Sequence, residues 1–245
     1  MIYVMSDIHG NMRRFRSVMD KIQLRPEDTL YILGDVIDRH PYGIDILEEI
    51  IATPNIKMTL GNHEYMMLNV LCSSNVPWPR QPFVSASSIW SFNGGDVTLD
   101  AFMKLPGDRR GNILYYLLHE CPLSRRIEVN GKKYELVHSV PPELYVASIH
   151  KGYSSAAEFA TWNRFIYTRE VLPDYTIVNG HTPTNAEWPL GTPSIEKSYY
   201  EKEIRIDCGS GYEDVEGPPF TEKGRLACLR LDDMAEFYSD ERWPL

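Results

Sequence analysis

No two cysteines in this chain form a paired motif: Cys72, Cys121, Cys208 and Cys228 are widely separated and no C-x-x-C occurs. That excludes a zinc knuckle and a dithiol redox centre, and leaves free buried thiols in a reducing compartment as the default. Long apolar runs are missing as well. Nothing approaches membrane-spanning length, and Met1 to Met5 is too short for the core of a signal peptide, so a cytoplasmic protein is expected. Positive charge is scarce, with 25 Lys and Arg against 34 Asp and Glu, a net charge of −9 and a pI near 5.3. Neither nucleic acid nor an acidic membrane is therefore an expected partner, and an anionic substrate would need a locally positive pocket. There are no internal repeats, low-complexity tracts or linkers. With 245 residues and 43% hydrophobic content, one α/β domain spanning 1–245 is expected.

What is present is a recurrence. Ile2 to Met5 has the composition of a buried strand and runs into Ser6-Asp7-Ile8-His9-Gly10, after which Met12 to Ile22 has helical periodicity. Thr29 to Leu33 is a second such strand, ending in Gly34-Asp35-Val36-Ile37-Asp38-Arg39, followed by a helix from Ile44 to Ala52. Ile56 to Leu60 is a third, ending in Gly61-Asn62-His63-Glu64, with a helix predicted from Glu64 to Cys72. Three strands that each end in a polar cluster and lead into a helix describe a layered α/β protein, whose sites gather at the carboxyl ends of its strands. Taken singly, each cluster also fits a solvated turn or a helix cap. Taken together, they point to a site in which Asp7, His9 and Asp35 can hold metal and Arg39 can grip an anion.

Further along, Ser73 to Ser88 is rich in Ser and Pro and fits a surface loop or a partial lid, and Trp90 to Asp96 reads as a turn around Asn93-Gly94-Gly95. Short helices are expected over Thr98 to Leu105 and Asn112 to His119, and a longer one over Tyr153 to Phe165. The strongest hairpin signal is Ser124 to Val129, the turn Asn130-Gly131, and Lys132 to Val137, ending at His138. Thr176 to Asn179 is a further strand and ends at Gly180-His181. Strands near Glu203 to Asp207, Leu226 to Leu231 and Ala235 to Tyr238 flank a Gly- and Pro-rich loop, Gly209 to Gly224.

Collected by position, Asp7, His9, Asp35, Asn62, His138 and His181 form a set of oxygen and imidazole donors without thiolate. That set suits manganese, iron or zinc rather than calcium. Six ligands exceed what one ion with an open position needs and suit two ions sharing a carboxylate, with Asp35 as the bridge.

These motifs, Asp7-Ile8-His9-Gly10, Gly34 to Arg39, Gly61 to Glu64, His138 and Gly180-His181, resemble the signature of the calcineurin-like metallophosphoesterases. Within them the phosphoprotein-phosphatase branch is the nearest match: the bacterial and phage serine/threonine phosphatases and the related symmetrical diadenosine tetraphosphatases. Asn93-Gly94-Gly95 and Trp162-Asn163-Arg164 resemble further segments of that branch. The resemblance implies an α-β-β-α four-layer sandwich with two mixed sheets. It places Asp7, His9 and Asp35 on one metal and Asp35, Asn62, His138 and His181 on the other, with manganese expected and iron or zinc as alternatives. It makes His63 the general acid, oriented by Asp38, and Arg39 and Arg164 the phosphate clamps. The implied reaction is hydrolysis of a phosphate monoester, on a phosphorylated protein or a small ester, by in-line attack of a metal-bridging hydroxide. Symmetrical cleavage of a dinucleoside polyphosphate is the alternative within enzymes, with Trp78, Phe83 or Trp90 lining a groove for the second nucleotide. A metal-binding scaffold without turnover is the alternative outside them. Two departures stand out: Ser139-Val140 replaces the usual Ala-Gly after the ligand histidine, and His40 replaces a glycine. A β-branched Val140 disfavours positive φ, so the loop beyond His138 is expected to take another path.

Overall fold

The apolar runs that open the chain become three parallel strands, β1 (Ile2–Met5), β2 (Thr29–Ile32) and β3 (Ile56–Met58), in register from Ile2 opposite Thr29 and from Leu30 opposite Ile56. Parallel neighbours need crossovers, and helices supply them: α1 (Met12–Ile22) and α2 (Gly43–Ala52) connect the strands, and α3 (Asn62–Leu71) follows β3. The computed structural model describes residues 1–72, 76–79, 83–164, 174–186, 191–198, 202–212 and 223–240. Among these, four more helices follow: α4 (Phe83–Phe92), α5 (Asp96–Met103), α6 (Gly107–His119) and α7 (Ala156–Trp162). The remaining strands are β4 (Ser124–Val129), β5 (Lys132–Val137), β6 (Thr176–Asn179), β7 (Glu196–Ser198), β8 (Glu203–Arg205), β9 (Ala227–Arg230) and β10 (Ala235–Tyr238).

Two five-stranded mixed sheets result, ordered β10-β9-β1-β2-β3 and β4-β5-β6-β8-β7. One apolar layer joins them: Val4, Leu33, Ala227 and Leu229 of the first sheet meet Tyr134, Leu136, Val178 and Ile204 of the second. On the far side of the first sheet, Tyr3, Met5, Leu30 and Ile32 cluster with helix residues such as Phe15, Val18, Leu47, Ile50 and Leu68. Each fully buried side chain of this kind contributes about 1.5–3 kcal/mol. This is the two-sheet α/β sandwich expected from the sequence. Strands β1, β2 and β3 run in one direction, as do β5, β6 and β8, so the chain leaves each group at a common edge. No helix among the described residues is long and apolar enough to cross a membrane.

The structure departs from the sequence reading in several places, among them the helix expected over Tyr153 to Phe165, which is α7 and starts only at Ala156 behind the Ser155 cap. Part of the expected Ser73 to Ser88 loop and Trp90 of the expected turn form α4, because burying Ala86 and Trp90, four residues apart, gives that segment an inward stripe. Helix α3 begins at Asn62, so Asn62 and His63 belong to its first turn rather than to a strand end. Helix α6 begins at Gly107, behind Pro106, which has no N–H to leave unpaired. The polar edge strand β7 was not anticipated. Phe165, the side chain of Phe83 and most of the Gly209 to Gly224 loop lie outside the described residues.

Candidate active site

The segments leaving β1 and β2 turn sharply, and the turns use backbone conformations that side chains disfavour. Asp7, His9, Asp35, Asp38, Arg39 and His181 all have positive φ, between 51° and 72°. Each such residue costs on the order of 1 kcal/mol and persists only where its surroundings over-determine it. Those surroundings are visible. His9 N–H donates to Asp35 O at 2.9 Å and Gly10 N–H to Val36 O at 2.7 Å, lacing the first two loops together. Gly10 is obligatory, because a Cβ there would lie 2.3 Å from His40 O. Below them, the buried Glu64 carboxylate accepts the N–H groups of Asp35 (2.9 Å), Val36 (2.8 Å) and Gly61 (3.1 Å), tying the Asp35 loop to the start of α3.

All six proposed metal ligands come together there. Carboxylate oxygens of Asp7 and Asp35 lie 3.9 and 3.7 Å from His9 Nε2, and Asp35 Oδ2 lies 3.5 Å from His138 Nε2. Asn62 Oδ1 is 2.9 Å from His138 Nε2 and 3.0 Å from His181 Nδ1. His181 reaches the group from the second sheet, with its backbone N–H on Asp7 Oδ2 at 3.1 Å. Two sets of donor atoms lie within 4.8 Å of one another: His9, Asp35 and His63, and Asp35, His138 and His181. Asp35 is common to both, and the first set holds His63, expected from the sequence as the general acid, in place of Asp7.

The chemistry of this donor set fits cations. His9 Nδ1 is directed at Ile37 O (3.2 Å), His138 Nδ1 at Leu33 O (2.7 Å) and His181 Nε2 at Trp162 O (3.2 Å). A carbonyl can only accept, so each of those nitrogens carries the proton and the other nitrogen presents a lone pair inward. Two such lone pairs face Asn62 Oδ1, itself an acceptor, and two carboxylates stand beside them. Acceptors converging on acceptors repel unless positive charge lies between them. Burial also pushes the Asp7 and Asp35 carboxyls up, and pushes His9, His138 and His181 down, as expected for charges removed from water without a counter-ion.

His63 sits at the edge of this set. Its Nδ1 is 2.6 Å from Asp38 Oδ2, both side chains being fully buried, and its Nε2 is 3.8 Å from Asp35 Oδ2. Arg39 Nη2 donates to the same Nε2 at 3.2 Å, which fills that lone pair. Burial lowers His63 to about 3 and raises Asp38 to about 7. Arg39 is held flat by Tyr212, whose ring centroid lies 4.2 Å from the guanidinium carbon. Arg164 lies beyond His181 and donates to Thr182 Oγ1 at 2.9 Å. His40 caps the backbone, its Nδ1 3.0 Å from His9 O. Val140 is buried outside the positive-φ region, its N–H on Ala160 O at 3.3 Å, and Ser139 Oγ donates to Asn163 O, so the loop after His138 is fastened to the end of α7.

Thr98 and Tyr212 were not read from the sequence as neighbours of the site, and Ser6, Glu64 and Trp90 were named there without the contacts they make. Trp90 is 2% exposed, and its indole N–H is directed at Asp38 Oδ2. Trp78 stacks on Tyr65 at 4.7 Å and donates to Asn69 Oδ1, which makes it a packing residue of α3.

The family model for calcineurin-like phosphoesterase matches residues 1–207. Among curated proteins, the symmetrical bis(5'-nucleosyl)-tetraphosphatase of Acidovorax ebreus is 26% identical over 165 residues, 66% of this chain and 52% of that protein. Its counterpart from Erwinia tasmaniensis is 36% identical over 70 residues, 28% of this chain and 26% of that protein. The matches thus span about half or less of those relatives' own length. Among solved structures, a candidate diadenosine tetraphosphatase aligns over 98% of this chain and 94% of its own, with TM-score 0.60 and 14% identity. A protein serine/threonine phosphatase from Saccharomyces cerevisiae covers 99% and 81% with TM-score 0.51 and 16% identity. At such identities the likeness to solved structures is one of fold.

Proposed function

Because the chain belongs to the calcineurin-like phosphoesterase family, and is thereby a metal-dependent phosphoesterase, we propose that it hydrolyses phosphate monoesters at the site built on Asp35. The observation that carries this reading is the convergence of the His138 and His181 lone pairs on Asn62 Oδ1, beside Asp35 and within reach of the His63 and Arg39 pair. Asp7, His9 and Asp35 would hold one ion, and Asp35, Asn62, His138 and His181 the other, with manganese the first expectation and iron or zinc the alternatives. Such ions supply charge that draws in a phosphoryl group and activation of the attacking water. Two divalent ions against two carboxylates leave about +2 in the pocket, enough to bind phosphate inside a protein of net charge −9.

The chain's own residues do the rest. Arg39 leaves His63 for the phosphate oxygens, a charge-assisted contact stronger than a bond to a neutral imidazole, and Arg164 grips from the His181 side. The incoming anion then faces His63 Nε2, and its negative charge offsets the burial that keeps the imidazole neutral. Asp38 fixes the ring through Nδ1–H, so Nε2, freed by Arg39 and protonated from solvent, can deliver that proton to the leaving oxygen. A phosphorylated side chain or a small phosphate ester is the substrate. A second reading, symmetrical cleavage of a dinucleoside polyphosphate, is favoured by the names of the relatives matched over 70 to 165 residues.

The test incubates manganese-loaded protein with a phosphoserine peptide, p-nitrophenyl phosphate and diadenosine tetraphosphate under one set of conditions. Release of inorganic phosphate from the first two, at higher kcat/KM than cleavage of the third, is expected. Preferential conversion of the dinucleotide to ADP would overturn the ordering.

A further inference from the structure

The turn Asn93-Gly94-Gly95 and the helix ends beside it have so far no role, yet they touch Asp38 and Arg39 at three points. Trp90 Nε1 donates to Asp38 Oδ2 at 2.9 Å, the same oxygen that receives His63 Nδ1–H at 2.6 Å. Asp38 N–H donates to Thr98 Oγ1 at 2.9 Å, and Arg39 N–H to Gly94 O at 3.1 Å. Asp38 and Arg39 are consecutive residues at φ 72° and 68°, a conformation that needs external support. Gly95 is shaped to the indole: a Cβ there would lie 2.5 Å from Trp90 Cδ1 and Nε1.

We propose that Trp90 is a positioning residue for the hydrolytic reaction, acting through Asp38 on His63. An oxygen that accepts from both Trp90 and His63 is fixed in direction, so the Asp38 carboxylate cannot rotate away from the imidazole. His63 Nδ1 then keeps its proton on the Asp38 side and Nε2 keeps its aim at the leaving oxygen. Thr98 fixes the backbone of the same residue, and the Gly94 carbonyl fixes that of the phosphate-binding arginine. This inference rests on the reading of His63 as general acid, and its test separates the two. If Trp90 were only a core ring, its N–H would be dispensable.

Trp90→Phe keeps a ring and removes the donor, and β-(3-benzothienyl)alanine at position 90 keeps the bicyclic outline and removes only the N–H. Metal content, KM and turnover on p-nitrophenyl phosphate, a good leaving group, are expected to stay within twofold of the unsubstituted protein. On an alkyl phosphate, kcat is expected to fall about tenfold, a fraction of the 10²–10⁴ that general acid catalysis supplies. Independently of turnover, the downfield proton resonance of His63 Nδ1–H, assigned by its loss in His63→Asn, is expected to move in either variant. Should His63→Asn show the selective loss on the alkyl ester while both position-90 variants match the unsubstituted protein, Trp90 has no positioning role and the acid reading stands. Should His63→Asn slow both esters equally, the acid reading fails and this inference fails with it. If Trp90→Phe does not fold, the benzothienyl variant decides.

Discussion

Removing the charge of Glu64 should loosen the metal loop by an amount the geometry sets. This carboxylate is fully buried and receives the N–H groups of Asp35, Val36 and Gly61 at 2.8 to 3.1 Å. Hydrogen bonds to a buried charged acceptor contribute about 1.5–3 kcal/mol each, and a donor left unmet costs a similar amount. Glu64→Gln keeps one acceptor oxygen and turns an NH2 toward backbone donors, so either the pair on Oε2 or the pair on Oε1, from Val36 at 2.8 Å and Ile37 at 3.4 Å, is lost and replaced by donors facing a donor. Burial itself pushes the Glu64 carboxyl up, against the pull of the backbone donors, so part of the loss is returned when the charge goes. A net destabilisation of about 3 kcal/mol is expected, a large share of the roughly 5–15 kcal/mol that holds a folded protein together. For a chain of this size that lowers Tm by about 6–12 °C. Urea unfolding followed by circular dichroism, on metal-free and manganese-loaded protein, gives the number. A change under about 1 kcal/mol in the metal-free form would refute the view that Glu64 sets the Asp35 loop.

Three further outcomes are expected. Asp35→Asn should lower occupancy of both ions together, measured as metal per protein by plasma spectrometry, and loss of one ion alone would deny Asp35 the bridging role. Gly180→Ala should weaken metal binding in titration calorimetry by at least about tenfold, because its Cβ would fall 2.1 Å from Asp7 Oδ2 and 2.0 Å from Ser6 Oγ; unchanged affinity would mean that Asp7 does not ligate. Burial raises Asp7 and Asp35, and Asp38 to about 7, in the metal-free protein. The folded state thus holds protons the unfolded state has released, and this stability is present below the ordinary carboxylate pKa of 3.8 and lost as pH rises toward 7. His9, His63, His138 and His181, pushed below 6.5 by burial, pull stability the opposite way under that pH, so metal-free Tm should fall between 6.5 and about 7, where the carboxylates alone still act, whereas excess manganese should reverse the slope because the ions bind the deprotonated groups.

Much of this was legible in the sequence because its causes are local. Asn130-Gly131 both adopt positive φ in the turn between β4 and β5, and the hairpin bounds came out as read. The α1 stripe of Phe15, Val18 and Ile22 likewise gave its helix from end to end. The six candidate ligand positions could be picked out because each lies at a strand end or in the first turn of the helix after one, where spacing along the chain translates directly into place. What stayed hidden depends on distance. Trp90 meets Asp38 from 52 residues away, and a tryptophan in a Ser-rich stretch carries no mark that its N–H is committed. Helix α4 was read as loop because Ser and Pro dominate its neighbourhood, whereas its helicity is enforced by packing against α3. Glu64 was seen only as the tail of a motif, since its partners are backbone groups, which every residue has.

The six candidate ligands divide between the sheets: Asp7, His9, Asp35 and Asn62 follow strands of the first, His138 and His181 those of the second. Ions held there act as a rivet through the sandwich, anchored in both plates. Any slippage between the plates must first pull the rivet, so grip on the ions and stiffness of the seam are a single quantity. Chelation should therefore speed amide exchange along β1 and β6, the strands that lead into Asp7 and His181.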